Sequence, residues 1–234
     1  MKFDVFKHSF INKAALLNAI YDTLYNTYGP QSWWPADSPF EVMLGAILTQ
    51  NTAWTNVEKA MTGLSEVCEL TPEGVLSLSQ DLLEEAIRPS GYFRQKASRL
   101  RGFCRFLIDS YGGDLSGMAT VPTGQLRDVL LSLHGIGPET ADSILLYALD
   151  RPVFVVDAYT LRLFSRLGLC EEHAKYNDIQ ALFMGNLEPD VQMFNEYHAL
   201  IVRHVKERCR TKAPFCGECT LRDLCSYGSM GVWE

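Results

Sequence analysis

The sequence has no long apolar run, no low-complexity segment and no linker rich in Gly, Ser or Pro. A membrane helix needs about 20 consecutive apolar residues, so none is expected. The first residues, MKFDVFKHSFINK, mix charged and apolar side chains without the apolar core of a signal peptide. We therefore expect a cytoplasmic protein with no membrane association. Its 234 residues suffice for one or two domains with a substantial core.

A disulfide framework is also missing. There are seven cysteines, an odd number, and Cys68, Cys104 and Cys170 stand alone among apolar residues. Isolated cysteines of this kind behave as small buried hydrophobic residues. The pattern therefore argues against a secreted disulfide-rich fold and favours a reducing compartment.

The chain has no overall excess of positive charge, since its net charge is −7. Charge is unevenly distributed, however. Six basic residues and no acidic one lie between Arg88 and Arg105, and five basic residues with one acid lie between Arg203 and Lys212. Such local stripes can bind phosphates although the total charge is negative. The alternative is two ordinary solvated helix faces.

Strand patterns are nearly absent. The one strand-like run, Val153 to Val156, is short and is expected to be a buried connection. Helix starts are predicted at Ser38-Pro39-Phe40-Glu41, with Ser38 as cap and Glu41 completing a capping box, and at Thr71-Pro72-Glu73. Further helices are predicted near 11–28, 81–88, 94–110, 123–133, 138–149, 158–167, 175–187 and 190–208. The expected fold is all-α, with more than nine helices.

Four cysteines near the C-terminus form the most informative motif. Cys209, Cys216, Cys219 and Cys225 have the spacing C-x6-C-x2-C-x5-C within seventeen residues. Four thiolates at short fixed spacing can enclose one metal centre, and soft sulfur ligands suit zinc or an iron–sulfur cluster. The motif by itself leaves these two possibilities open.

The second motif is the turn LHGIGPETA at 133–141. Gly135 and Gly137 are expected to allow a tight turn without a Cβ clash, Ile136 to plug into the core, and Pro138 to begin the next helix. Backbone N–H groups at that helix start can hold a phosphate. The arrangement is that of a helix-hairpin-helix, with His134 as a surface residue.

The third motif is VVDAYT, in which Asp157 directly follows an apolar run and precedes a helix. One interpretation is an ordinary helix N-cap. The other is a carboxylate in an apolar cleft that stabilises positive charge developing on a sugar and orients a water. The two interpretations are compatible, because capping also fixes the side chain.

The three motifs, in this order and spacing, resemble the endonuclease III family of DNA glycosylases. The resemblance implies two helical lobes flanking a DNA-binding cleft. One lobe is a six-helix barrel with the helix-hairpin-helix, here about 38–149. The other comprises about 1–37 and 150–234 and carries a [4Fe–4S] cluster at 209–225, in preference to zinc. Base-excision repair of damaged double-stranded DNA by a monomer is implied as well.

The resemblance also assigns roles to single residues. Asp157 would be the catalytic aspartate. Gln50 would enter the gap opposite the flipped nucleotide, and Tyr92 would be a second wedge. Gly135, Ile136 and Gly137 would bind backbone phosphate, with a monovalent cation at the hairpin. The loop with Arg210 and Lys212 would lie against the DNA backbone.

The family's bifunctional members form a Schiff base through a lysine two residues beyond the second hairpin glycine. Here that position holds Glu139, whose carboxylate cannot form a Schiff base. A monofunctional glycosylase is therefore expected, unless Lys96 or Lys175 substitutes. The stretches around Trp33, Trp34 and Trp54, together with IRPSGY and Glu139, resemble the 3-methyladenine branch.

Tryptophan faces can stack on a cationic alkylpurine, which predicts Trp33, Trp34 and Trp54 as the base pocket. Packing in the core or between the lobes is the alternative for these tryptophans. Two other functions stay open at this point, an endonuclease III-type enzyme for oxidised pyrimidines and a non-catalytic DNA-binding module. An adenine glycosylase for mispairs is disfavoured, because few residues follow Cys225.

Overall fold

A computed structural model describes residues 12–230 and shows an all-helical architecture over that range. The parts of the expected terminal lobe at 1–11 and 231–234 lie outside the described residues. The α-helices are α1 (Lys13–Tyr28), α2 (Pro39–Leu48), α3 (Trp54–Ser65), α4 (Pro72–Ser77), α5 (Gln80–Ala86), α6 (Phe93–Tyr111), α7 (Ser116–Ala119), α8 (Thr123–Ser132), α9 (Pro138–Ser143), α10 (Ala158–Leu167), α11 (Tyr176–Met184) and α12 (Val191–Glu207). The predicted all-α class is confirmed. In the described range no helix has the length and apolarity to cross a membrane.

Local side-chain chemistry explains where several helices begin. The Ser38 hydroxyl accepts the Glu41 N–H at the start of α2, with Pro39 in the first turn. Thr71 caps α4 in the same way. The expected capping box at α2 differs in detail, since the Glu41 carboxylate accepts from the Asp37 N–H and the Ser38 hydroxyl. It therefore secures the chain one residue before the cap.

The chain forms two compact units, and one of them runs without interruption from Trp34 to Arg151. Its longest helix, α6, buries an apolar stripe and packs against α4, α5 and α2. The predicted helix over 138–149 is α9 followed by a π-helical turn, Ile144–Ala148. Arg127 of α8 donates two hydrogen bonds, of 2.6 and 2.9 Å, to the buried carboxylate of Asp142 in α9. This pair joins the two helices on either side of the turn at 133–137.

The other unit combines the described residues up to Trp33 with those from Pro152 onward. Helix α1 packs against α12, and the buried Tyr197 hydroxyl donates to the Leu17 carbonyl at 2.9 Å. Phe154 and Phe183 stack with ring centroids 3.7 Å apart and contribute to an aromatic core. Val153 to Val156 is a buried, non-helical connection, as predicted. It delivers the chain directly to Asp157 and α10.

Candidate functional site

Asp157 is the N-cap of α10 and takes part in a complete capping box. Its Oδ1 accepts the Thr160 N–H at 2.7 Å and the Thr160 hydroxyl at 2.9 Å. Its side chain is 13% exposed, and Oδ2 faces His198 Nε2 at 3.6 Å. The N-cap interpretation is confirmed, since Oδ1 caps the helix, while the catalytic role of the carboxylate stays a prediction.

The charge state of Asp157 follows from these neighbours. Burial alone raises the pKa of a carboxyl group. Here the His198 imidazole, 3.6 Å from Oδ2, and the hydrogen bonds from Thr160 outweigh burial and hold the pKa of Asp157 below its ordinary value. The carboxylate is therefore ionised at neutral pH.

The turn at 133–137 has one glycine that its conformation demands. Gly135 has φ +80°, and a Cβ there would lie 2.3 Å from Arg99 Nε. Ile136 is buried and Pro138 begins α9, as expected. The expectation for Gly137 was wrong, because its backbone is extended at φ −95° and a Cβ there would meet no atom within 4 Å.

Gln50 is held inside its own unit by both ends of its amide. Its Nε2 donates to the Gly135 carbonyl at 3.0 Å and to the Thr140 hydroxyl at 2.8 Å. Its Oε1 accepts a hydrogen bond from Arg99 Nη1. The half-buried side chain thus links the end of α2 to the hairpin, and insertion into DNA would require these bonds to break.

Tyr92 lies on a short turn before α6 and is 66% exposed. It has the left-handed φ of +45°, and Gly91 beside it has φ +68°. The basic stretch that surrounds this turn is not a solvated helix face as a whole. Lys96 is buried and donates to the Leu48 and Ser90 carbonyls, and Arg101 donates to the Leu76 and Leu78 carbonyls. Side chains in this stretch therefore also serve to hold the backbone.

Two of the three predicted pocket tryptophans are in contact. Trp34 meets Trp54 edge-to-face, with centroids 4.9 Å apart, and Trp34 also packs on Tyr147 at 5.3 Å. The indole N–H of Trp54 donates to Glu58 at 3.0 Å. Trp34, Trp54, Glu58 and Glu41 line one cavity. Trp33 is half-buried and belongs to the other unit, in which it is the last residue before the chain enters the unit that begins at Trp34.

The four motif cysteines line one cavity. Arg166 of α10 donates to Cys209 Sγ at 3.2 Å, and the Gly228 N–H donates to Cys225 Sγ at 3.2 Å. His204 Nε2 lies 3.5 Å from Cys219 Sγ. Within residues 12–230, no three His, Cys, Asp or Glu side chains have the spacing of a single-ion site. Sulfurs sharing a cavity and receiving N–H groups suit a sulfur-ligated cluster.

Burial raises the pKa of the Cys216 and Cys219 thiols and raises that of Cys225 to about 11. Thiolates in such surroundings need a nearby positive centre, which a metal cluster supplies. Burial and the neighbouring Arg208 lower the pKa of His204 to about 4, so its ring is neutral beside Cys219. Four sulfurs that line one cavity, two of which accept hydrogen bonds from protein N–H groups, fit the cofactor that the sequence resemblance implies.

In the loop between the first two cysteines, Arg166 holds the backbone, and the cationic side chains are exposed to solvent. Arg166 donates to the carbonyls of Cys209 at 3.3 Å, Arg210 at 2.8 Å and Thr211 at 3.2 Å. Arg210 and Lys212 are exposed, and the Arg210 guanidinium lies over the Phe215 ring at 4.6 Å. The backbone is thus anchored while both cations face outward.

Sequence patterns alone did not identify several residues of these sites. His198 lies on the buried face of α12, where a polar residue interrupts an apolar stripe. Arg166 lies nine residues after Asp157, and nothing in its local pattern marks it as a contact of the cysteine loop. Lys96 and Arg99 belong to a basic run, but the sequence periodicity does not show that their side chains donate hydrogen bonds to groups inside the unit. Tyr147 is an aromatic residue in an otherwise apolar helix.

Comparison with known proteins identifies the family. The model of the HhH-GPD superfamily base excision DNA repair proteins matches residues 44–189. The chain belongs to the HhH-GPD superfamily of base excision DNA repair proteins. A Methanocaldococcus jannaschii protein, named as an inferred DNA repair glycosylase, is 48% identical over 92% of this chain and 97% of its own length.

Two solved structures extend the comparison. A non-covalent endonuclease III–DNA complex is 25% identical, with a TM-score of 0.79, covering 92% of this chain and 96% of that chain. An H. pylori 3-methyladenine DNA glycosylase bound to 1,N6-ethenoadenine is 28% identical, with a TM-score of 0.70, covering 84% and 98%. The expected relationship to the endonuclease III family is confirmed.

Proposed function

We propose that this HhH-GPD glycosylase flips an alkylated purine out of double-stranded DNA and removes it by hydrolysis without cutting the strand. The observation that carries the proposal is a fixed, ionised Asp157 in a chain that has a carboxylate, Glu139, on α9 after the hairpin. The similarity to a 3-methyladenine DNA glycosylase supports this substrate class.

Asp157 Oδ2 is the atom that we assign to the chemistry, since Oδ1 is engaged by Thr160. As the glycosidic bond breaks, its electron pair leaves with the base and positive charge develops on the sugar. The carboxylate stabilises that charge and orients a water, whose oxygen bonds to the anomeric carbon. The proton released by the water passes to the carboxylate or to solvent.

The absence of strand cleavage is proposed from Glu139. Covalent lyase chemistry needs an uncharged amine that attacks the sugar. Lys96 is 1% exposed and donates to two backbone carbonyls. Lys175 is exposed at the start of α11 and lines a cavity with Cys170 and Asp178 to which Asp157 does not contribute. We therefore expect release of free base with little trapped enzyme–DNA adduct.

Trp34 and Trp54 are the residues that we propose for base recognition, with Trp33 as a further member. A purine alkylated at N3 or N7 carries positive charge, and an aromatic face attracts it by about 0.5–2 kcal/mol. Glu41 and Glu58 line the same cavity as Trp34 and Trp54 and add negative charge. Both effects favour a cationic base over a neutral one.

DNA engagement is proposed to use four segments. Gln50 and Tyr92 fill the space left by the flipped base. Gly135 and Gly137 hold a phosphate through backbone N–H groups, with a monovalent cation at the hairpin, whereas the Ile136 N–H donates to the Leu133 carbonyl at 3.1 Å. Arg210 and Lys212 contact the DNA backbone from the anchored cysteine loop.

Cys209, Cys216, Cys219 and Cys225 are proposed to hold a [4Fe–4S] cluster that fixes this loop. When bound, such a cluster supplies a rigid cationic centre for four thiolates. Purified protein is expected to contain iron and acid-labile sulfide with the absorption of a cluster. Zinc without sulfide would contradict this assignment. Removing the metal is expected to weaken DNA binding while excision at saturating enzyme is retained.

The test of function is base release from methylated duplex DNA, with borohydride trapping in parallel. Free alkylpurine without a trapped adduct is the expected result. A trapped adduct on a duplex with oxidised pyrimidines, and no alkylpurine release, would replace the proposal with an endonuclease III-type lyase. Binding to both duplexes without release would indicate a non-catalytic module.

Asp157→Asn is expected to lower excision at least about 100-fold, because the carboxylate charge is lost. Asn caps helices as well as Asp does, so folding is retained. Asp190→Asn is the matched control, since Asp190 caps α12 in the same unit and accepts the Met193 N–H at 2.6 Å. Equal single-turnover rates for the two variants would rule out the catalytic role.

A further inference from the structure

Lys96 is an ionisable residue in the interior of its unit. It is 1% exposed, although it lies on the otherwise amphipathic α6. Its Nζ donates to the Leu48 carbonyl at 2.8 Å and to the Ser90 carbonyl at 2.7 Å. Burying an ammonium group is costly unless its N–H donors find acceptors. The Leu48 and Ser90 carbonyls provide these acceptors and so allow Lys96 to be buried.

The two carbonyls belong to separate segments of the chain. Leu48 is the last residue of α2, whose terminal carbonyls have no partner within the helix and carry the negative end of the helix dipole. Ser90 ends a short 3-10 turn. Each segment continues two residues later into a residue proposed to enter DNA, Gln50 in one case and Tyr92 in the other.

The Ser90 to Tyr92 turn needs such an anchor. Gly91 and Tyr92 both have positive φ values, +68° and +45°. A non-glycine residue in this region is strained by about 1–3 kcal/mol and persists only where surrounding contacts enforce it. The Lys96 bond to the Ser90 carbonyl is one such contact at the base of the turn.

Arg99 extends the same connection one helical turn along α6. It donates to Gln50 Oε1 and lies against Gly135, where a Cβ would be 2.3 Å from Arg99 Nε. Gln50 in turn donates to the Gly135 carbonyl at 3.0 Å. One face of α6 therefore connects the end of α2, the Tyr92 turn and the hairpin.

We propose that Lys96 is a positioning residue that sets the spacing between the Gln50 segment and the Tyr92 turn for insertion into DNA. This rests on the proposed DNA-flipping function. The ammonium ties two backbone segments that α6 alone would leave separate, and it does not touch the reacting atoms. Burial and Arg99 also lower the pKa of Lys96 to about 8, yet a neutral amine keeps two N–H donors and both bonds.

The test compares Lys96→Met with Arg101→Met. Met retains most of the buried stem but removes the charged donor. Arg101 is the matched control, because it lies on the same helix and donates to the Leu76 and Leu78 carbonyls at the end of α4. Thermal unfolding first fixes a temperature at which both variants are folded.

The main readout is fluorescence of 2-aminopurine placed beside a stable abasic analogue, which reports local distortion of the duplex without any excision. Lys96→Met is expected to lower the distortion signal and the single-turnover excision rate by at least about tenfold at saturating enzyme. Arg101→Met is expected to change both by less than about twofold. Indistinguishable signals for the two folded variants would overturn the proposal.

Lys96→Gln keeps an N–H donor for one carbonyl and is expected to give an intermediate fluorescence signal. If Lys96→Met does not fold, Lys96→Gln is compared with Arg101→Met instead. A Lys96→Gln signal equal to that of Arg101→Met would then overturn the proposal. The outcomes also separate the two hypotheses. A wild-type protein that distorts the probe duplex but releases no base contradicts the proposed function, and the fluorescence comparison still decides the role of Lys96.

Discussion

The two oxygens of Asp157 have different surroundings, so one residue can cap a helix and keep its second oxygen for the chemistry that we propose. Oδ1 is satisfied by Thr160, whereas Oδ2 faces His198 at 3.6 Å. A capping aspartate is common and uninformative. Asp157 is unusual because its second oxygen lies beside the buried imidazole of His198, which lowers the pKa of the carboxyl group.

His198→Phe is expected to move the acid limb of the excision rate to higher pH. His198 lowers the pKa of Asp157, so its removal lets burial raise that pKa. The Asp157 carboxylate then becomes protonated at a higher pH as acid is added, and the rate falls earlier. The pH profile of single-turnover excision measures this shift. His173→Phe, at an exposed position, should leave the profile unchanged, and an unshifted profile in both variants would contradict the pairing.

At the scale of elements, polar capping residues made several helix starts predictable. Ser38, Thr71 and Asp157 each stand where a cap is needed, and α2, α4 and α10 begin after them. Helix α3 was not predicted, because Ala53 at its N-cap offers no side-chain bond. The π-helical turn after α9 was missed too, since its apolar spacing looks the same as that of an α-helix.

The candidate site was predictable where its residues form local motifs, as the cysteines and Asp157 do. It was not predictable where distant segments supply the partner. His198 lies 41 positions after Asp157 in the chain, and Lys96 lies 48 positions after Leu48. Composition marks such residues as polar and exposed, whereas tertiary packing buries them.

Gly135→Ala is expected to destabilise its unit by about 1–3 kcal/mol, because φ +80° strains an L-residue and the new methyl displaces Arg99. Displacing Arg99 would also remove its hydrogen bond to Gln50 Oε1. Gly137→Ala is the matched control, with an extended backbone and no atom within 4 Å of the new Cβ. Urea unfolding of both variants measures the difference, and equal free energies of unfolding would refute this account of the turn.

At the scale of the whole molecule, a net charge of −7 means that DNA attraction must come from local cations. Arg210 and Lys212 are the cations that we propose for this contact, because Arg166 holds the backbone carbonyls of Arg210 and Thr211 and both cationic side chains are exposed. In an acidic protein, the DNA affinity should therefore depend strongly on each cation that contacts a phosphate.

The double variant Arg210→Ala, Lys212→Ala is expected to reduce the slope of log K against log salt by about 2, because each cation that neutralises a phosphate contributes about 1 to that slope. Fluorescence anisotropy with a fixed duplex over a salt series measures the slope. Lys59→Ala, at an exposed position on α3, is the control and should leave the slope unchanged. A double variant with the wild-type slope would remove this loop from the DNA interface.

The hydrogen bond between Tyr197 and Leu17 joins residues 180 positions apart. During synthesis at about 5–20 residues per second, α1 leaves the ribosome roughly 10–40 s before α12 exists. The continuous unit from Trp34 to Arg151 has all of its residues by then and can fold first. The unit that holds Asp157 and the cysteine cavity is therefore completed after the unit from Trp34 to Arg151, once α12 is made and packs against α1.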